Sequence, residues 1–164
     1  MGENRKALAF SGRIVMVGFG SIGQGTLPLL LRHIDLKPEQ IVIVTGDEKG
    51  RRVAAEYGIA FHDTPLTPAN YHAILVPRLS RGDFLINCSN DVSSVALIAL
   101  CQERGALYID TCIEPWAGGY TDVSVTPEHR SNYFLRESAL ALKKPGTPTA
   151  ATSRTPGWVA ITSS

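Results

Sequence analysis

The chain has 164 residues, of which 44% are hydrophobic and 19% are charged. This length suits one domain of ordinary size, and the composition excludes an intrinsically disordered chain, a collagen and a disulfide-rich miniprotein. The 16 lysine and arginine residues and 15 aspartate and glutamate residues leave a net charge of +1. Bulk electrostatics therefore predict neither a nucleic-acid partner nor an anionic-membrane partner.

The amino terminus and the cysteines predict the compartment. Polar residues at 11–13 interrupt the first apolar run, so we expect no secretory segment, and no apolar stretch has the length of a membrane span. Cys88, Cys101 and Cys112 are odd in number, lack metal-ligand spacing and adjoin apolar segments. They predict buried free thiols and no metal site. A reducing, cytoplasmic compartment follows as an expectation.

Short β-branched runs alternate with longer amphipathic segments along the chain. The predicted elements, in chain order, are strand 13–18, helix 22–33, strand 40–45, helix 47–58, strand 59–61, helix 67–79, strand 83–88, helix 93–104, strand 106–110, helix 127–143 and strand 147–152. The third helix is expected to start at Thr67 as N-cap with Pro68 in its first turn. Strands joined by helices over short connections lie parallel, with helices on both faces. The predicted fold class is α/β, a doubly wound parallel sheet of the Rossmann-like kind.

A glycine-rich loop follows the first predicted strand and opens the first predicted helix. It reads VGFGSIG and contains G-x-G-x-x-G, and a second strand follows about 20 residues later, the context of a dinucleotide-binding loop. Gly18 is expected to form the tight turn, Gly20 to let the backbone approach a pyrophosphate, and Gly23 to let the helix pack on the strand. Ser21 and Ile22 complete the predicted phosphate-binding segment at the helix N-terminus.

The end of the second predicted strand indicates which dinucleotide binds. Dinucleotide sites use a carboxylate there for the adenosine ribose hydroxyls, and Asp47 stands in that position. A carboxylate repels a 2′-phosphate, which favours NAD as the cofactor. Lys49, Arg51 and Arg52 leave NADP open, because a basic cluster can accept that phosphate.

Polar residues follow the fourth and fifth predicted strands. A doubly wound sheet binds its ligands beyond the carboxyl ends of the strands, between the first and the fourth. We therefore expect Asn87 at the end of the fourth strand, Ser89 and Asn90 after it, and Thr111 after the fifth, to contact the cofactor. Helix capping is the alternative interpretation for polar side chains within 90–93.

The loop after the fifth strand places a carboxylate near an indole. Glu114 and Trp116 stand among proline and glycine residues, with no predicted helix immediately behind them. Charge pairing and cation–π attraction together suit an organic cation. A loop tryptophan also serves as a lid over a core, and that interpretation stays open here.

The same segments resemble the N-terminal part of bacterial homospermidine synthase. The likeness covers about residues 12–150 and is carried by GRIVMVGFGSIGQGTLPLLLRH, IVIVTGDEKGRRVAAEYGI, NCSNDVSS, ALYIDTCIEPWAGGY and RSNYFLRESAL. The phrase YIDTCIEPW joined to RSNY is far more specific than a glycine loop. That family is related in fold to the saccharopine dehydrogenases.

The resemblance implies an enzyme that uses NAD as a recycled hydride carrier. Such enzymes condense two putrescine molecules into homospermidine with loss of ammonia, and the full-length family is expected to form homodimers. The resemblance matches Asp91 and Glu114 to carboxylates near the polyamine site, and it matches Asp47 to the ribose-contacting region. Acidic residues suit a dicationic substrate, and no nucleic acid or membrane is implied as a partner.

Length sets this chain apart from that family, whose members are well over twice as long and carry a second part for substrate binding and dimerisation. We therefore expect the chain to be inactive alone. The predicted organisation is an extension at 1–12, a dinucleotide-binding domain at 13–152 and a divergent tail at 153–164. The likeness ends near Ala151, and Thr155 stands where an asparagine is expected, which predicts a truncated or frameshifted product.

Two other functions stay open at this point. One is an NAD(P) oxidoreductase acting on an amine or amino acid, in the manner of the saccharopine dehydrogenases. The other is a non-catalytic NAD-binding module. An S-adenosylmethionine methyltransferase fits less well, because an acidic residue usually precedes its first glycine and Met16 and Val17 stand there.

Overall fold

The structure is a computed structural model that describes residues 8–143 and 160–161. Its strands are β1 (Leu8–Ala9), β2 (Ile14–Val17), β3 (Ile34–Asp35), β4 (Ile41–Thr45), β5 (Ala60–Asp63), β6 (Phe84–Asn87), β7 (Leu107–Asp110) and β8 (Ala160–Ile161). Its α-helices are α1 (Ser21–His33), α2 (Arg51–Glu56), α3 (Tyr71–Leu75), α4 (Ser94–Arg104) and α5 (Asn132–Ala141). Short 3-10 helices occur at Pro38–Gln40, Val76–Arg78 and Glu128–Arg130.

Six strands form the main sheet, in the order β5-β4-β2-β6-β7-β8. The first five are parallel to one another, and β8 pairs with β7 in the antiparallel direction. β2 lies between β4 on one side and β6 on the other, so the chain reverses its direction of winding there. The predicted doubly wound α/β sheet is confirmed. β1 and β3 form a separate parallel pair.

The hydrophobic core lies in two layers, one on each face of the sheet. Successive side chains of a strand point to opposite faces. Val15 and Val17 of β2 accordingly pack in the layer that contains buried residues of α3, α4 and α5, whereas Ile14 and Met16 pack with α1 and α2. All four side chains are buried. A parallel strand covered on both faces is apolar at every position, which is why IVMV indicated a central strand.

Two predicted helices are shorter than expected. The second starts at Arg51 instead of residue 47, because the Asp47 carboxylate accepts the Lys49 backbone N–H at 2.9 Å and so favours a turn over a helix. The third does not start at Thr67. Asn70 accepts the Thr67 N–H at 2.7 Å, and the helix follows that turn.

Proline and serine divide the remaining helical segments. Pro77 has no N–H to donate, and the end of the third predicted helix is a 3-10 turn. The predicted helix 127–143 consists of a 3-10 turn followed by α5, which starts after the Ser131 N-cap. Gly105 ends α4 in the left-handed conformation, as expected from its position. The strand predicted at 147–152 lies outside the described residues.

No helix in the described parts of the chain has the length and apolar character needed to cross a membrane. Within the same residues, the histidine, cysteine and acidic side chains form no cluster of three that could hold a metal ion. Cys88, Cys101 and Cys112 are free thiols, of which Cys101 is buried and the other two are partly buried.

Candidate dinucleotide-binding site

A cleft of about 510 Å³ opens at the carboxyl ends of β2, β4 and β6. Its walls come from the loops that follow these three strands, from the loop after β5 and from one residue of the loop after β7. The lining residues are Val17, Gly18, Phe19, Gly20, Val44, Thr45, Gly46, Asp47, Pro65, Leu66, Thr67, Cys88, Ser89, Asn90, Asp91, Val92 and Ala117. This is the position at which open α/β sheets bind their ligands.

The three glycines of the loop have three different environments. Gly18 has a φ of +80°, and a Cβ there would lie 2.7 Å from the Ser89 nitrogen. A Cβ at Gly23 would lie 3.0 Å from the Gly18 carbonyl oxygen, so the start of α1 packs closely on the loop. A Cβ at Gly20 would meet no atom within 4 Å, because this residue borders the open cleft. The turn and the close packing match the roles predicted for Gly18 and Gly23, and the open space leaves the Gly20 backbone accessible from the cleft.

The start of α1 points its free backbone groups toward the loop. Gly20 occupies the N-cap position without a side chain to satisfy the first N–H groups, and its carbonyl accepts the Gln24 N–H at 2.9 Å. Ser21 and Ile22 follow in the first turn and are exposed. The unpaired N–H groups and the helix dipole make this terminus attractive to an anion.

Asp47 lies in the cleft wall beyond the end of β4, beside Gly46. Its side chain is exposed, and its carboxylate accepts the Lys49 N–H. Two cations of the neighbouring basic cluster are paired with acids, Arg51 with Glu48 at 2.9 Å and Arg52 with Glu56 at 3.9 Å. Asp47 borders the cleft, whereas Arg51 and Arg52 are not among the residues that line it.

Asn87 does not border the cleft, although it stands at the end of β6. Its side chain is buried, and its Oδ1 accepts hydrogen bonds from the Ser89 N–H at 3.1 Å and the Ser89 hydroxyl at 2.6 Å. Its Nδ2 donates to the Tyr108 hydroxyl at 3.3 Å, which in turn donates to Asp110 Oδ2 at 3.0 Å. The structure thus places Asn87 behind Ser89, which lines the cleft together with Asn90.

Tyr108 and Asp110 are buried polar residues that sequence reasoning did not identify. Burial, and then the charge of Asp110, hold the pKa of Tyr108 well above its ordinary value. Residues two apart on a strand share a face. A sequence signal for this buried polar group was available. A tyrosine and an aspartate stand two residues apart on one predicted strand, and an asparagine ends the neighbouring strand. Thr111 follows them, and its N–H donates to the Asn87 carbonyl at 3.2 Å instead of lining the cleft.

Asp91 lines the cleft in an unusual backbone conformation. Its φ is +62°, and its carbonyl accepts the Ala117 N–H at 3.1 Å. A left-handed non-glycine residue is uncommon, and aspartate tolerates it better than most residues. Capping of α4 falls to Ser93, whose hydroxyl accepts the Ala96 N–H at 3.3 Å. Ser93 therefore has the capping role, and Asp91 stays available to the cleft.

Glu114 is anchored to the start of α4, outside the residues that line the cleft. Its N–H donates to the Ser94 hydroxyl at 3.0 Å, and its carbonyl accepts the Ser94 N–H at 2.9 Å. The Cys112 thiol donates to its carboxylate at 3.2 Å. Burial, with this carboxylate as a second cause, raises the pKa of Cys112 to about 11 and that of Tyr120 to about 12.

Trp116 packs against the protein interior. Its ring centroid lies 5.3 Å from that of Tyr71, and its side chain contacts the core layer that contains α4. It also lines a separate, open cleft of about 620 Å³ with Val95 and Leu135. These contacts favour the lid interpretation of this tryptophan over a cation site shared with Glu114.

Comparison with known proteins gives consistent results. The family model described as Saccharopine dehydrogenase NADP binding domain matches residues 14–150. The chain is similar to homospermidine synthases of Blastochloris viridis, at 46% identity over 85% of this chain, and Mesorhizobium japonicum, at 41% over 91%. It spans only 30% and 32% of those two relatives. The crystal structure of the Legionella pneumophila homospermidine synthase in complex with NAD matches with a TM-score of 0.75 and 40% identity, over 85% of this chain and 28% of that one.

Proposed function

Because the chain belongs to the saccharopine dehydrogenase NADP-binding domain family, we propose that it binds NAD in the cleft at the carboxyl ends of β2, β4 and β6. The observation that carries the proposal is the open space at Gly20, where the backbone borders the cleft without a side chain. That arrangement suits a pyrophosphate against the start of α1. The NAD in the complex of the Legionella relative supports the choice of ligand. NAD supplies a hydride acceptor and donor when it is bound.

The described residues divide the proposed site into three parts. Gly18 and Gly20, with the first turn of α1, would hold the pyrophosphate. Asp47 would accept hydrogen bonds from the adenosine ribose, as an acid in this position does in other dinucleotide sites. Ser89 and Asn90 line the opposite wall, after β6, where the second half of the dinucleotide would lie.

We further propose that the chain is the cofactor domain of a homospermidine synthase-type enzyme. Two relatives of that name match most of this chain, and putrescine, the amine implied by that name, is a dication. Asp91 provides a carboxylate in the cleft wall, and Glu114 provides a second one beside Cys112. These two residues are the candidate amine-binding carboxylates, and charge pairing is the interaction they would supply.

Calorimetric titration of the purified chain with NAD tests the cofactor proposal. The Gly20→Val variant is expected to fold normally, because no protein atom lies within 4 Å of the new Cβ, and to weaken NAD binding by about 100-fold or more through a clash with the pyrophosphate. Gly25→Val is the matched control, since Gly25 also has open space around it but lies further along α1. A folded chain that does not bind NAD would contradict the proposal, as would equal effects of the two variants.

Incubation with NAD and putrescine, followed by chromatography, tests the reaction class. The relatives are about three times as long, so we expect the chain alone to form no homospermidine. Homospermidine made by this chain alone would overturn that expectation. The family description also favours a second candidate, an NAD(P) oxidoreductase acting on an amine or amino acid. That activity would accumulate reduced cofactor at 340 nm, whereas a recycled hydride leaves no net absorbance change.

A further inference from the structure

We propose that Glu48 and Asp63 make this site selective for NAD over NADP by engaging the Arg51 guanidinium. The inference rests on the proposed function, because it concerns how the same cleft distinguishes two nicotinamide dinucleotides. These differ only by the 2′-phosphate on the adenosine ribose. An arginine beside that ribose is the side chain that most often accepts such a phosphate.

Three contacts hold the Arg51 side chain. Its Nη2 donates to Glu48 Oε1 at 2.9 Å and lies 4.0 Å from Asp63 Oδ2. Its guanidinium carbon lies 4.8 Å from the centroid of the Phe61 ring. An aromatic face and two carboxylates thus attract the guanidinium that would otherwise be offered to a phosphate.

The position of this cluster connects it to the adenosine end of the cleft. Asp63 ends β5 and pairs with Thr45, the last residue of β4. Thr45 and Asp47 line the cleft, and Arg51 begins α2 only four residues after Asp47. The arginine is therefore close in the chain to the residue proposed to bind the ribose, and its guanidinium is turned toward Glu48 and Asp63.

The local charge opposes a 2′-phosphate as long as Arg51 pairs with Glu48 and Asp63. The segment from Thr45 to Asp63 contains four carboxylates and three lysine or arginine side chains. A phosphate monoester carries a charge of about −1.5 to −2 at pH 7. It would approach the Asp47 carboxylate while the Arg51 guanidinium pairs with Glu48 and Asp63. Removal of the two carboxylates removes both ion pairs of the Arg51 side chain and leaves the guanidinium able to turn toward the ribose.

The test compares the dissociation constants of NADH and NADPH by fluorescence titration of the full chain. In the E48Q/D63N double variant, the preference for NADH is expected to fall by about tenfold or more, mainly through tighter binding of NADPH. Adding R51Q to that double variant is expected to abolish the gain. E56Q is the matched control for the single E48Q variant, because Glu56 pairs with Arg52 of the same helix at 3.9 Å and the substitution likewise removes one carboxylate charge. Its preference is expected to equal that of the unmodified chain.

The outcomes separate this inference from the proposed function. If the unmodified chain bound neither dinucleotide, the result would contradict both the inference and the proposed function. Two outcomes would contradict the inference alone. In the first, the unmodified chain binds NADH but the double variant keeps the original preference; in the second, the tighter binding of NADPH persists after R51Q is added. The single E48Q variant keeps the test independent of folding, because the Glu48 side chain is 68% exposed. It is expected to shift the preference in the same direction by a smaller factor.

Discussion

Gly18 combines two requirements that only glycine meets. Its φ of +80° strains any L side chain, and its missing Cβ makes room for the backbone of Ser89, on the next strand end. Gly18→Ala is expected to lower the free energy of unfolding by about 2 kcal/mol or more, from the left-handed conformation together with the forced displacement of the Ser89 loop. Urea denaturation followed by circular dichroism measures this loss.

Gly25→Ala is the control for that substitution. Gly25 lies inside α1, and an added Cβ would meet no atom within 4 Å apart from the backbone of its own helix and its chain neighbours. Alanine there is expected to raise the free energy of unfolding by about 0.5–1 kcal/mol, since glycine inside a helix costs that much relative to alanine. Equal losses of stability in both variants would contradict the requirement for glycine at position 18.

At the residue scale, sequence reasoning succeeded where the determinant is local. The turn at Gly18 and the close packing at Gly23 follow from the order of the glycines in one strand–turn–helix unit, and the structure shows both, whereas the pyrophosphate contact of Gly20 stays a prediction. The functions of Asn87 and Trp116 depend on partners distant in the chain, Tyr108 and Tyr71, which no local pattern specifies. The sequence therefore predicted that these residues meet near the strand ends, but not which side chains face the cleft.

At the level of elements, α4 and α5 are capped by the same chemistry in different surroundings. Ser93 accepts the Ala96 N–H at 3.3 Å, and Ser131 accepts the Phe134 N–H at 3.2 Å. Loss of either cap by substitution with alanine is expected to cost about 1 kcal/mol. α4 contains five buried residues, whereas Ala139 is the single buried residue of α5.

This difference predicts where each loss appears. Ser93→Ala is expected to lower the global free energy of unfolding, because α4 unfolds only with the core. Ser131→Ala is expected to speed amide hydrogen exchange within α5 while the global unfolding transition moves little, because a weakly packed helix opens locally. Hydrogen exchange with mass spectrometry, combined with urea denaturation, separates the two. Identical changes in hydrogen exchange and in global stability in both variants would contradict the claim that α4 unfolds with the core and α5 opens locally.

The order of the elements was predictable and their boundaries were less so. Apolar runs such as IVMV and IVIVT have the length and β-branching of buried parallel strands, so strand positions followed from hydrophobicity alone. Helix starts depend on single hydrogen bonds. The Asp47 and Asn70 side chains each capture a nearby backbone N–H and delay α2 and α3, a competition that periodicity does not reveal.

At the scale of the whole molecule, the partly buried Cys88 thiol, the buried Cys101 thiol and the buried Tyr108 phenol set an alkaline limit to stability. Burial raises the pKa of Cys88 to about 11, that of Cys101 to about 12 and that of Tyr108 well above its ordinary value. In the unfolded chain these groups lose their protons near pH 9 and 10, the ordinary cysteine and tyrosine values. The folded chain then binds more protons than the unfolded one, so stability is complete below about pH 8 and falls as the pH rises.

Cys101 offers the sharpest test of that limit, since it is only 1% exposed. At pH 10, one unit above the ordinary cysteine pKa, the unfolded chain has released the thiol proton and the folded chain still holds it. This difference lowers the free energy of unfolding by about 1.4 kcal/mol relative to its value at pH 8. Urea denaturation at pH 8 and pH 10, in the presence of a reducing agent, is expected to show a loss smaller by that amount in Cys101→Ala than in the unmodified chain. The lost packing of the sulfur lowers the stability of the variant at both pH values and cancels in this difference. Equal losses in the two proteins would mean that the Cys101 thiol ionises as readily in the folded chain as in the unfolded one, and would contradict the effect of its burial on the inner face of α4.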